Sequence, residues 1–174
     1  KMKDEKIHII KVGGNIIDDV DKLESFLISF ASLEGKKILV HGGGKLATKL
    51  AADLNIPQQM VDGRRITDTD TLKIVTMVYA GYINKNIVAA LQSNGCNAIG
   101  LCGADADIIR AHKRFNAAHE YGYVGDVDKV DAEKLSAFLD AGQQIIIAPI
   151  THDGKGQLLN TNADTIAQEI AKAM

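Results

Sequence analysis

The chain has 174 residues, 46% of them hydrophobic and 24% charged, which fits one globular domain with a substantial core. Its net charge of −2 excludes the basic footprint of a nucleic-acid binder and a strong acidic field. No apolar run approaches the roughly 18 residues of a membrane helix, and two cysteines, Cys96 and Cys102, are too few for a disulfide scaffold.

The first residues, Lys1 to Lys6, are charged but lead into a strand-like run rather than a secretory signal, so a cytoplasmic protein is expected. Both cysteines lie in or near apolar runs and read as inert buried thiols. Residues 7–12 form an apolar run of strand length that ends in Lys11-Val12-Gly13-Gly14. Leu23, Phe26, Leu27, Phe30 and Ala31 then recur at helical spacing, with Asp21 as N-cap and Gly35 as terminator. A second strand, Ile38-Leu39-Val40-His41, stops at Gly42-Gly43-Gly44, and Leu46, Leu50 and Leu54 mark a helix over residues 45–55.

This βαβα beginning predicts parallel strands with right-handed crossovers. Both glycine turns then open at the carboxyl edge of one sheet. Glycine lets backbone N–H groups approach a ligand, and a helix start adds orphan donors and a positive dipole end. Gly13, Gly14 and Gly42 to Gly44 therefore form a candidate anion site, although neither common nucleotide fingerprint is present. Lys11 reads either as a solvated charge or as a stabiliser of a transferring phosphoryl group.

Asp62-Gly63 between short β-prone segments predicts a hairpin over residues 56–67 that could overhang the glycine edge. Arg64 and Arg65 alternate faces on such a strand: one can clamp a carboxylate, or both can be solvated. Thr67 to Asp70 supply caps for a long helix through Ser93, with Leu72, Val75, Tyr79, Tyr82, Ile83, Ile87, Ala90 and Leu91 on its stripe. Ala80-Gly81 inside it allows close packing, within the chain or against a partner. An interior glycine there costs roughly 1 kcal/mol relative to alanine.

Residues 96–101 read as a buried strand, residues 107–114 as an exposed strand, and residues 123–127 as its returning partner. His112 and His119 lack the spacing of a metal site. A short helix over residues 131–141 turns Leu135, Phe138 and Leu139 inward, and residues 144–150 form a fourth buried strand. Residues 151–156 form a polar turn. Asn160, Asn162 and Asp164 then alternate just before a final helix, either as caps or as polar groups aimed at a ligand.

Taken together, Lys11-Val12-Gly13-Gly14, His41-Gly42-Gly43-Gly44, Asp62-Gly63-Arg64-Arg65-Ile66-Thr67 and Asn160-Thr161-Asn162-Ala163-Asp164 resemble the amino-acid kinase family, and within it the N-acetylglutamate kinase branch. Gly100-Leu101-Cys102-Gly103-Ala104-Asp105 and Ile108-Ile109-Arg110-Ala111 also resemble that branch. The resemblance implies a three-layer αβα sandwich with a mainly parallel open sheet. It also implies phosphoryl transfer from ATP, with Mg2+ and no tightly bound protein metal, to the γ-carboxylate of an N-acyl-L-glutamate in arginine biosynthesis.

By the same resemblance, Lys11 stabilises the phosphoryl group in flight and Asp164 orients the catalytic lysines. Gly43 and Gly44 offer N–H groups near the substrate, and Arg65, Asn160 and Asn162 hold the amino-acid end. The acyl group stays open, and a homodimer is implied. Family chains continue past the last helix into a second half that carries most of the ATP pocket and a second catalytic lysine. No stretch here resembles that half, so residues 1–174 are expected to be the N-terminal, acylglutamate-binding domain, with little activity alone. Another member of the family, or a non-catalytic amino-acid-binding module, are the competing readings.

Overall fold

A computed structural model describes residues 5–174; the charged stretch from Lys1 to Asp4 lies outside the described residues. Strand β1 (Ile7–Val12) is followed by one helical turn, α1 (Gly14–Ile17), helix α2 (Val20–Ser32), strand β2 (Lys36–His41) and helix α3 (Gly44–Asp53). A hairpin of β3 (Gln59–Val61) and β4 (Arg64–Ile66) leads into a continuous helical rod. The rod comprises α4 (Thr69–Val75), a π-helical stretch (Thr76–Ile83) and α5 (Asn84–Ser93). Then come β5 (Ala98–Leu101), β6 (Ile109–Lys113), β7 (Gly125–Val130), α6 (Ala132–Asp140), β8 (Gln144–Ile147), β9 (Ile150–His152), β10 (Leu158–Asn160) and α7 (Ala163–Ala173).

The central sheet has the order β1-β2-β8-β5, and every pairing in it is parallel. Side chains alternate faces along a strand, so a strand covered on both sides is apolar throughout. Ile38, Val40, Ile145 and Ile147 turn to one face, where Leu135 and Leu139 of α6 and Ile166 and Ile170 of α7 cover them. Leu39 and Ile146 turn to the other, against Leu27 and Phe30 of α2, Ala47 and Ala51 of α3, and Ile87 and Leu91 of α5. These two cores make the αβα sandwich, and each fully buried Ile or Leu stabilises it by about 1.5–3 kcal/mol. A second sheet has the order β10-β9-β6-β7, and β3 and β4 pair as a separate two-stranded hairpin.

Several expectations are corrected. The α2 cap is Asp19, whose carboxylate accepts from the Lys22 N–H, while Asp21 sits in the first turn. Residues 144–150 are two strands: Ala148 and Pro149 interrupt the run and carry the chain from the central sheet to the second one. Strand β6 is half-buried rather than exposed, because Ile109 and Ala111 face the core while Arg110 and His112 face out. Thr151 and His152 belong to β9, so the polar turn starts at Asp153. Strand β1 lies at the edge of its sheet, and the Lys11 side chain is 30% exposed.

The long rod ends at Ser93 as expected, with Asp68 capping it through the Thr71 N–H. Its π-helical middle shifts the stripe, so Tyr82 is 66% exposed although Tyr79 and Ile83 are buried. By length and hydropathy Thr69–Ser93 would pass for a membrane span, which the run-length reading had excluded. Its apolar stripe (Leu72, Val75, Val78, Ile83 and Ile87) is nevertheless consumed by the core of this chain. A Cβ at Gly81 would meet nothing within 4 Å, so close packing inside the chain does not explain that glycine.

Candidate active site at the glycine edge

The parallel register pairs Val12 with His41, so β1 and β2 end side by side and both glycine turns open there. Gly43 has φ 151, a backbone region that favours glycine, and a Cβ on it would lie 2.1 Å from Ile83 Cδ1. It is the N-cap of α3 and makes no side-chain cap, so the first N–H groups of that helix are left for a ligand. Across the turn, a Cβ on Gly13 would lie 3.3 Å from Lys11 Nζ, which places the amine over that first glycine corner.

Lys11 Nζ lies 3.2 Å from Asp164 Oδ1. The acid reaches the lysine because α7 packs along β1 and starts beside its carboxyl end. With the Asp164 carboxylate 66% exposed, the pair is held as much by the packing as by the charges.

A cavity of about 230 Å³ lies on the other side of the turn, lined by Gly42, Gly43 and Gly44, by Arg64 and Arg65 of the hairpin, and by Asn160 and Asn162. Arg65 is only 9% exposed and Arg64 is exposed, which resolves the two-face reading. The Arg65 guanidinium donates to Gly44 O at 3.1 Å, to Thr48 Oγ1 at 2.9 Å and to Gln58 Oε1. None of these partners is anionic, and no carboxylate among the described residues forms a salt bridge with Arg65. A buried cation with neutral partners favours an anion placed next to it. Asn160 Nδ2 donates to Thr67 Oγ1 at 3.2 Å, and Asn162 Oδ1 caps α7 through the Thr165 N–H.

The expected residues therefore fall into two adjoining groups. Gly42, Gly43, Gly44, Arg65, Asn160 and Asn162 line the cavity. Lys11 and Asp164 pair on its β1 side together with Gly13, and Ala163 in the cavity wall joins the two groups. Gly14 opens α1, where a Cβ would meet Asp18 Oδ2 at 3.3 Å. A larger cleft of about 760 Å³ runs among α2, α3 and α5, but its lining is mainly apolar and contains none of these residues. No three metal-ligating side chains gather anywhere among the described residues.

Sequence reasoning missed four contributors. Tyr79, read as a core residue, also lines the cavity; burial pushes its hydroxyl pKa up, and the nearby Arg65 charge offsets part of that. Arg114 reaches the same cavity from the end of β6, where Asp126 holds its Nε at 3.0 Å and its Nη1 is buried without a partner among the described residues. No local pattern announces Arg114, because only the β6–β7 pairing brings it there. Gln58 and Thr48 bind Arg65; Thr48 sits one helical turn after Gly44, a spacing that could have flagged it.

The chain is similar to proteins named acetylglutamate kinase: 61% identical over 98% of its length to that of Cytophaga hutchinsonii, and 57% identical over its full length to that of Bacteroides fragilis. It spans 65% and 66% of those two relatives. Among solved structures, smu.665 from Streptococcus mutans UA159 superposes with a TM-score of 0.83 at 27% identity, covering 96% of this chain and 68% of that one. N-acetylglutamate synthase from Neisseria gonorrhoeae, at 20% identity, shares the fold with a TM-score of 0.81, covering 96% of this chain and 39% of the synthase. The amino acid kinase family model matches residues 6–174, the same span that builds both glycine corners, the Arg65 hairpin and the Asp164 helix, and the chain belongs to that family.

Proposed function

We propose that this chain supplies the acyl-amino-acid site of an N-acetylglutamate kinase, which transfers the γ-phosphoryl group of ATP to the γ-carboxylate of an N-acyl-L-glutamate. The observation that carries the reading is the Lys11–Asp164 pair beside a glycine turn whose other side holds a buried arginine without a counter-ion. The names of the relatives support the same activity.

The chemistry asks little of a protein nucleophile. The acceptor carboxylate is ionised at neutral pH and attacks phosphorus itself, and the bond from phosphorus to the ADP oxygen breaks as the acyl phosphate forms. Positioning and charge stabilisation do the rest. Arg65, with Asn160 and Asn162 beside it, takes the α-carboxylate end. The N–H groups of Gly43 and Gly44 and the Lys11 amine face the charge that develops on the transferring group, with Gly13, Gly14 and Gly42 shaping its path. Asp164 keeps the Lys11 amine in place. Mg2+ enters with the nucleotide as part of the co-substrate.

Residues 1–174 form the acylglutamate-binding domain in this reading, and most of the nucleotide contacts come from chain outside it. The setting is a cytoplasmic step of arginine biosynthesis. A homodimer is included, supported by the exposed Met77 and Tyr82 beside Gly81 on the rod. Calorimetry on this chain with N-acetyl-L-glutamate, and a coupled ADP-release assay on the full-length protein, test the reading. Saturable binding with turnover supports it. Binding without turnover in the full-length protein reduces it to a non-catalytic binding module, and no binding overturns it.

A further inference from the structure

His41 and Asn84 are both fully buried, yet neither touches the cavity. His41 ends β2 immediately before the glycine turn, and Asn84 opens α5 directly after the π-helical stretch. Asn84 Nδ2 lies 3.1 Å from His41 Nε2 and 3.2 Å from Ile146 O. Its Oδ1 accepts from Lys85 Nζ at 2.8 Å, and the same amine donates to Gly100 O at 3.0 Å.

The identity of these partners settles the hydrogen positions. An ammonium has no lone pair and a carbonyl has no proton, so the Asn84 oxygen must face Lys85 and its nitrogen must face Ile146 O. That nitrogen therefore donates to His41 Nε2, which can only accept. In the neutral ring the proton then sits on Nδ1, 2.9 Å from Gly42 O. Burial pushes the His41 pKa down to about 4, so the ring stays neutral at physiological pH.

We propose that Asn84, acting through the Nδ1–H tautomer of His41, is a positioning residue that locks the Gly42–Gly43 peptide with its N–H directed at the transferring group. A trans peptide points its C=O and its N–H in opposite directions. Pinning Gly42 O to the core side through His41 thus sends the Gly43 N–H to the opposite, cavity side, and no backbone acceptor among the described residues takes that N–H. With the proton on Nε2, two lone pairs would face each other at Gly42 O and the peptide would be free to flip. Gly100 belongs to the device, because a Cβ there would sit 2.0 Å from Asn84 Oδ1.

The catalytic half of this inference rests on the proposed phosphotransferase activity; the tautomer half does not. The first experiment is a long-range proton–nitrogen NMR correlation spectrum of the histidine rings in this chain. His41 is expected as the Nδ1–H form, against the Nε2–H form usual in water, and an Nε2–H ring at position 41 overturns the proposal.

The second compares His41→Asn, whose amide can keep a donor at the Nδ1 position, with His41→Gln, which keeps only the contact to Asn84, in the full-length protein. His41→Asn is expected within a few-fold of wild-type kcat, whereas His41→Gln and Asn84→Ala fall about a hundredfold, as for loss of one donor to a developing charge, with little change in KM. Equal losses in His41→Asn and His41→Gln overturn the positioning role. If the variants do not fold, the spectrum of the unaltered chain decides. A wild-type enzyme without turnover would instead sink the phosphotransferase reading.

Discussion

A guanidinium held nine-tenths out of water without an acid beside it makes Arg65 the most demanding residue of the site. Its neutral partners, Gly44 O, Thr48 and Gln58, orient it but do not balance its charge. Arg65→Ala is expected to raise the KM for acylglutamate at least about tenfold with a smaller change in kcat, since the α-carboxylate is bound alike in the ground and transition states. Arg65→Lys should recover only part of this, because one ammonium cannot reproduce the fork geometry. Lys11→Ala is expected to do the reverse, lowering kcat by about a hundredfold or more at nearly constant KM. Steady-state kinetics on the full-length protein separate the two. Arg65 was half legible in sequence: the hairpin pattern left both arginines open to being solvated and the family resemblance picked out Arg65, while the structure shows why, with Arg65 buried and Arg64 exposed.

Two helix ends illustrate what an element needs from its neighbours. Helix α2 ends against Lys37, a residue 5% exposed whose amine donates to the carbonyls of Phe30, Ala31 and Leu33 at 3.1, 3.3 and 2.5 Å. Ala31 O and Leu33 O are orphan acceptors of the last turn, Phe30 O also accepts from the Leu33 N–H at 3.3 Å, and a cation there meets the negative end of the dipole. Lys37→Met keeps the stem and loses the amine; a stability loss of about 1–3 kcal/mol in urea unfolding is expected from leaving the Ala31 and Leu33 carbonyls without that donor. At the start of α7, Asn162 both caps the helix and lines the cavity. Asn162→Ala should cost about 1 kcal/mol of stability, and Asn162→Ser should restore most of it. If the side-chain amide also binds substrate, the KM of the serine variant stays raised although its melting temperature recovers. An unchanged KM would leave Asn162 a cap alone.

At the scale of the molecule, stability and site share one feature, the closely covered central sheet. His41 sits at its carboxyl edge with its pKa lowered from an unperturbed 6.5 to about 4, chiefly because burial disfavours the charged ring. Between these values the unfolded chain binds a proton that the native chain refuses. The contribution is therefore fully present above pH 6.5 and is lost as pH falls toward 4, up to about 3 kcal/mol in all. Unfolding free energies measured from pH 7 to pH 4 should show this slope, and His41→Asn should flatten it.

Period and punctuation, both local energies, carried the sequence reading far. Apolar runs and helical stripes placed the four parallel strands and the main helices, and paired glycines marked the corners of the site. The Asp-Gly hairpin was legible for the same reason, since Asp62 and Gly63 have φ of 50 and 74, as its turn requires. The tertiary structure alone decided that β1 is an edge strand, that one apolar run divides between two sheets, and that a π-helical stretch turns Tyr82 outward. It alone joined Asn84 to His41 and Arg114 to the cavity, and it gave the Lys11–Asp164 pair, which the sequence tied together only by resemblance, its 3.2 Å contact. The physical reason is that strand order and crossovers are chosen by the energy of burying both faces of a sheet at once. That energy belongs to contacts between distant segments and leaves no local mark at the residues it brings together.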